Sequence, residues 1–416
     1  MLIYTLKYER SKMKNNNIIK SAIMIYLIFN PIIVAIQYVS IFYVVLYVIL
    51  SMIPFFYICK KLYFKDVLLY FFCIIELFIS FFAVYQNLFY NWFGIVVQIC
   101  FIALPWFCIG THMISAKDIY YGMVDNSRFI LLTSIIMILF IAYIGGFTKA
   151  GNMAVSYALL PYCALLFDKA VSQKNIRHFV LCIFVLLFIL LYGSRGPVLG
   201  FGIFCVIYII RYVKEHRIMF FSAVTILSIV LLNWQDILNI IKRIIYRYGI
   251  SSRTISKLLN GTITNDSGRS NYYKATIDVI VKYPVTGLGI AGERLHLLET
   301  VTSISEKPIS SVHPHNFVLE FLAQYGILLG SIFVIVVIVF LISGIWNENI
   351  YKSKIILIIG VTEIVHLMLS STYTISPLFF FFLGLSVNKN MDKRKGGDTI
   401  NEKESSSGVS RRFAGS

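Results

Sequence analysis

The stretch SSVHPHNFVLEFLAQYGILLG places His313, His315, Asn316 and Glu320 directly before an apolar run. Imidazole is the side chain whose ordinary pKa lets it take up a proton near neutrality. His315 at a helix mouth could therefore act as general base toward a sugar hydroxyl or hydrogen-bond a phosphate-bearing substrate. Pro314 interrupts the extended approach and leaves His315 or Asn316 at the start of the helix. His313, Asn316 and Glu320 are read as supporting substrate contacts, with helix capping as the plain alternative. Zinc competes, since His-x-His offers two ligands. No HExxH or other third-ligand pattern accompanies it, and neither a metal nor another cofactor is expected.

The other candidates are arginines. Arg195 stands in LLYGSRGPVLGFG, flanked by Ser194 and Gly196, at the expected mouth of a span. Its guanidinium offers five donors in a fixed fork that suits a phosphate or pyrophosphate; a snorkelling arginine is the alternative. Arg269 follows an Asp-Ser-Gly turn and precedes SNYYKATIDVIVKY, a predicted amphipathic helix, so phosphate contact is weighed against an ordinary loop cation. Arg243, Arg247 and Arg253, in KRIIYRYGISSRTISK, form a candidate electropositive rim for the substrate. The following VTGLGIAG reads as a compact glycine turn, and it lacks the dinucleotide GxGxxG pattern. Glu76, Asn30, Asn233, Glu363 and His366 fall in or near apolar runs, where polar groups must pair or face a cavity. The i,i+3 spacing puts Glu363 and His366 on one helical face, as a local pair or a working one.

The elements that position these residues follow from composition. Of 416 residues 58% are hydrophobic and 14% charged, which excludes a water-soluble domain built on the usual quarter of charged residues. An all-α polytopic integral membrane protein is predicted, with about twelve transmembrane helices. Helices 1–9 are expected over 19–234, a large periplasmic loop over 235–326 between helices 9 and 10, and helices 10–12 over 327–388. A cytoplasmic N-terminus (1–18) and a disordered cytoplasmic tail (389–416) complete the reading. The net charge of +17 is consistent with this, because Lys60, Lys61, Lys65, Lys117, Arg128, Lys169, Arg211 and Lys214 fall between the spans assigned to the cytoplasm. No role in binding nucleic acid is needed. The loop carries 10 Lys plus Arg against 7 Asp plus Glu, a basic excess on the side where that excess is unusual. The 7 cysteines lie in or beside apolar runs without metal-ligand spacing.

GSRGPVLG, SGRSNYYKATIDVIVKYPVTGLGIAG and HPHNFVLEFLAQYGILLG, in this order, resemble the O-antigen ligase and O-antigen polymerase superfamily. Its Arg-x-x-x-Leu element is matched by Arg195 to Leu199, its His followed after ten residues by Gly by His315 and Gly326, and its loop arginine by Arg269. The resemblance implies a metal-independent, GT-C-like glycosyltransferase in the bacterial inner membrane, with its active site facing the periplasm. It would transfer a growing glycan from undecaprenyl diphosphate to the acceptor sugar of another lipid-linked repeat unit, releasing undecaprenyl diphosphate. Arg195 and Arg269 would hold the diphosphate and His315 would activate the acceptor. A chain-length regulator is a further partner of such a polymerase. The polymerase is favoured by the Phe-, Tyr-, Ile- and Asn-rich composition and the modest loop. A ligase transferring to lipid A-core is the alternative, and a precursor flippase or transporter and a noncatalytic envelope scaffold are readings of other classes.

Overall fold

In hydrocarbon every backbone N–H and C=O must be satisfied within the protein, which leaves an apolar chain the choice of helix or closed barrel. This chain takes the first: in the computed structural model no β-strand occurs among the described residues. Those residues are 20–31, 33–34, 42–59, 63–80, 89–113, 115–145, 153–191, 195–212, 269–304 and 313–389, with 233, 236, 239, 240 and 243 singly. Arg247, Arg253, the segment 1–18 and the tail beyond Lys389 lie outside them.

A helix over 20–31 (α1) precedes α2 (Phe42–Ser51), α3 (Ile53–Cys59), α4 (Phe64–Ser80), α5 (Phe89–Val97) and α6 (Leu104–His112). Next come α7 (Ala116–Gly145), α8 (Met153–Ser172), α9 (Ile176–Leu191) and α10 (Arg195–Tyr212). The later part contains α11 (Arg269–Lys282), α12 (Glu293–Ile304), α13 (Phe317–Ile345), α14 (Ile350–Ile355), α15 (Val361–Leu369) and α16 (Pro377–Val387).

The expectation of about twelve crossings in a GT-C-like arrangement is corrected by the helix lengths. Among the described residues three stretches are long and apolar enough to cross a membrane: Phe93–His112, Ala154–Ser172 and Phe317–Ile345. Val45–Tyr57, Ile176–Ile189, Gly196–Tyr212 and Pro377–Val387 are apolar but shorter. A run of apolar residues counts whatever the backbone does, whereas a crossing needs about 20 residues of continuous helix. Here α2 ends at Ser51 before a separate α3, and α16 has only 11 residues. The three long apolar helices are those of a membrane-associated protein.

The first polar device in this apolar framework ties the bundle at one end. The apolar stretch of α8 is 78% buried and that of α13 only 22%, so α8 is the central helix, packed on α7, α9, α10 and α15, while α13 presents Leu328, Ile335 and Val339 outward. Near the end of α8 the carboxylate of Asp168 is fully buried. It accepts hydrogen bonds from Tyr120 of α7 and from Tyr208 of α10 (2.8 Å), and pairs with Lys354 of α14 at 2.8 Å. A charge removed from water is tolerated when its lone pairs are used, and here one carboxylate uses them to join four helices.

A second device breaks α13 at Gly326, whose φ of 73° and ψ of 176° are not helical. The break frees carbonyls that the segment Tyr283–Gly292 satisfies. Leu288 N–H donates to the Ala323 carbonyl (3.0 Å), Gly289 N–H to that of Gln324 (2.8 Å), and Ile327 N–H reaches back to Pro284 (2.7 Å). The backbones approach so closely that a Cβ on Gly326 would fall 2.3 Å from the Val285 carbonyl oxygen. This stitching sets α11 and α12 against the first two turns of α13.

Candidate active site

The cap of α13 places the histidines. Asn316 is its N-cap: the side-chain oxygen accepts from Val318 N–H (3.0 Å) and Leu319 N–H (3.3 Å), satisfying two donors that a helix start leaves open. That oxygen is thereby committed to capping. The residue before it, His315, is held at φ 56°, a left-handed conformation that a side chain adopts at some cost and that turns the ring back toward His313. The two imidazoles lie 4.1 Å apart between centroids, with Tyr272 edge-on to His315 at 5.6 Å.

Both rings hydrogen-bond to the Ser370 backbone, which follows α15, while His313 Nε2 and His315 Nδ1 are buried without a partner. The carbonyl thus takes the N–H of His313 Nδ1 and of His315 Nε2, leaving one lone-pair nitrogen on each ring. Burial, reinforced by the neighbouring His315 and Arg294, pushes His313 down to about 3; burial, with Arg269 nearby, also lowers His315. Both rings are neutral at pH 7 and able to accept a proton.

The cations come from helix starts. Arg269 is the first residue of α11 and lies within electrostatic reach of both His315 and Tyr157. Arg195 is the first residue of α10, and the next residue rests on that same tyrosine. A Cβ on Gly196 would sit 1.9 Å from the Tyr157 hydroxyl, so only glycine permits the approach. Two helix N-termini, with their positive dipole ends, therefore lie close to Tyr157, and Arg269 of one of them also reaches His315. An arginine at such a terminus opposes the dipole unless an anion joins them.

Arg294 is a cation that sequence reasoning missed. It stands in the second position of α12, donates to Thr372 (3.2 Å) and Thr374 (2.9 Å), and approaches the buried Glu320 at 3.9 Å. Thr372 also donates to Glu320, and Gln324 donates to Glu293 at 3.0 Å while accepting from Tyr373 at 2.5 Å. Burial pushes Glu293 up to about 7. Glu320 thus serves this polar network beneath the histidines. The glycine turn preceding Arg294 drew attention to the backbone and away from the guanidinium beside it. Tyr157 carried no signal, being one tyrosine in an apolar run.

Glu363 and His366 are brought to the same end of the bundle. Glu363 accepts from Ser376 (2.7 Å) and stands 3.8 Å from His366 Nδ1, and His366 stacks on Tyr157 at 4.2 Å. Glu76 instead accepts a local bond from Ser80 at 3.3 Å. Arg243 is exposed on a helical residue. Among the described residues no group of three or more His, Cys, Asp or Glu could hold a metal ion.

No curated protein and no solved structure matches the chain. One family model does: Wzy_C, described as O-antigen ligase, matches residues 180–334, a stretch that runs from α9 into α13 and includes Arg195, Arg269, His313 and His315.

Proposed function

We propose that the protein is a glycosyltransferase that moves a glycan from undecaprenyl diphosphate to a sugar hydroxyl of lipid A-core. The observation that carries this reading is Arg269, at the start of α11, within electrostatic reach of both the buried His315 and Tyr157, the tyrosine against which the Arg195-led start of α10 packs. Arg195 and Arg269 would orient the diphosphate and stabilise charge on the leaving group. His315 Nδ1 would take the acceptor proton as the acceptor oxygen bonds to the anomeric carbon; the bond from that carbon to the phosphate oxygen breaks, and its electron pair leaves with undecaprenyl diphosphate. Arg294, fixed by two threonines, adds positive potential from beneath. The description of the matched family favours the ligase over the polymerase that composition suggested.

Sidedness follows from charge. Lys20 on α1, Lys169 on α8, Arg211 on α10, Lys352 and Lys354 on α14 and Lys389 beyond α16 sit at helix ends opposite Asn30, Tyr157, Arg195, His366 and Ser376. Basic residues gather on the cytoplasmic side, so the site faces the periplasm of a bacterial inner membrane.

The test is purified protein with an undecaprenyl-diphosphate oligosaccharide, with and without lipid A-core. Glycan attached to core is expected. Arg269→Ala, Arg195→Ala and His315→Ala should each lower the rate by about 100-fold or more. Lengthened lipid-linked glycan without attachment to core would restore the polymerase reading, and unchanged rates in all three variants would refute the assignment.

A further inference from the structure

Beside His313 the fold forms a cavity of about 320 Å³. Its volume lies at the lower end of the range of about 300–1,000 Å³ that small-ligand sites occupy. Tyr26, Asn30, Tyr157, His313, Glu363 and Ser376 are among the residues that line it. Three of these present buried polar atoms without a protein partner: Asn30 Oδ1, Tyr157 Oη and His313 Nε2. They come from α1, α8 and the turn before α13, so no local backbone arrangement explains why all three are left open in one cavity.

We infer that this cavity is the acceptor-sugar subsite, binding an unphosphorylated pyranose through its hydroxyls. The inference rests on the transfer reading above and assigns the half of the site that reading leaves unplaced. A hydroxyl both donates and accepts, so one sugar ring can serve an amide oxygen, a phenol and an imidazole lone pair at once. A prenyl chain could do none of this and would leave each polar atom buried unpaired. The described lining contains the Glu363 carboxylate and no lysine or arginine, which suits a neutral sugar better than the donor diphosphate. Anion recognition falls to Arg269 and the start of α10, which meet the cavity at Tyr157. His313 belongs to both: its ring packs on His315 at 4.1 Å and its edge lines the cavity, so a sugar held there lies beside the proposed base. Leu27, Val34 and Pro161 are among the apolar residues of the lining against which a pyranose can pack.

Two variants remove cavity polarity without replacing a residue of the proposed anion site or the base: Asn30→Leu and Glu363→Leu. A third, Ala154→Phe, fills the space. In the full-length protein the two polar variants should raise KM for the acceptor about tenfold each, the loss of one well-made hydrogen bond, while KM for the lipid-linked donor stays within about twofold. Ala154→Phe should abolish transfer to the acceptor. Binding is read separately by saturation-transfer NMR, with dephosphorylated core oligosaccharide as the probe: wild type should bind it and Ala154→Phe should not. The inference is overturned if the probe fails to bind wild type, or if undecaprenol displaces it. It is also overturned if acceptor KM is unchanged in both polar variants while Arg269→Ala loses transfer. Probe binding that depends on the cavity, with no transfer by wild type to any acceptor, would refute the transfer reading and leave the sugar cavity standing.

Discussion

Replacing Gly326 by alanine puts a methyl group where two backbones already touch. The position has φ 73° and ψ 176°, a conformation almost confined to glycine, so the substitution carries about 1–3 kcal/mol of backbone strain before any contact is considered. The new Cβ would also lie 2.3 Å from the Val285 carbonyl oxygen and 2.8 Å from that of Pro284. Neither is the end of a flexible side chain. Relief requires the turn Tyr283–Gly292 to withdraw from α13, which weakens the bonds from Leu288, Gly289 and Ile327, each worth about 0.5–1.5 kcal/mol net. The expected loss is about 3–6 kcal/mol, a large part of the 5–15 kcal/mol by which native proteins are stable. In a thermal melt of the detergent-solubilised protein the midpoint should fall by about 6 °C or more. The control is Gly202→Ala in α10, where nothing lies within 4 Å of the added methyl. There the helix should gain about 0.5–1 kcal/mol because alanine orders more cheaply than glycine. If Gly326→Ala melts within about 1 °C of wild type, the backbone stitching between the turn and α13 is wrong.

Asp168→Ala should destabilise the bundle by about 3–5 kcal/mol, because it leaves Lys354 and two tyrosine hydroxyls buried without their acceptor, while transfer per folded molecule stays unchanged. A melt combined with active-fraction titration separates the two effects. His313 is held down to about 3, so as pH falls below its ordinary 6.5 the unfolded chain takes up the proton first; the stability it contributes is complete above pH 6.5 and declines toward pH 3. With both imidazoles lowered, the transfer rate should show no acid limb centred at 6.5, and a limb there would mean the rings are solvated. Glu293 is shifted the other way, from 4.5 to about 7, so its contribution is complete below pH 4.5 and lost as pH rises through 7. Glu293→Gln should flatten the dependence of melting temperature on pH between about 4.5 and 7; an unchanged slope would place the carboxyl in water.

Type and spacing exposed some of the candidate site and hid the rest. His313 and His315 announced themselves by a proline between them and a capping asparagine after them, and Arg195 and Arg269 by the glycine and serine around them. The structure packs Gly196, next to Arg195, on Tyr157, brings Arg269 within reach of that tyrosine and of His315, and lines one cavity with Tyr157 and His313. Tyr157, Ser370 and Thr372 could not be read, because each matters only through a partner more than 35 positions away, and no local pattern encodes such a meeting. Glu320 illustrates the opposite error. Its nearness to the histidines in sequence suggested substrate contact, yet one helical turn carries its side chain into the Arg294 network. For the fold, apolar runs correctly indicated helix and membrane. They overcounted crossings because hydropathy does not register where a helix stops, as between α2 and α3.

The Asp168 knot has a mechanical meaning. Tyr157 and Asp168 are 11 residues apart on α8, about 17 Å along the axis. Four helices are pinned at that distance from the site. The knot is therefore a remote anchor: it holds the charged end of the bundle together without its carboxylate lying where a lipid-borne sugar would bind, which separates the cost of losing it from the chemistry.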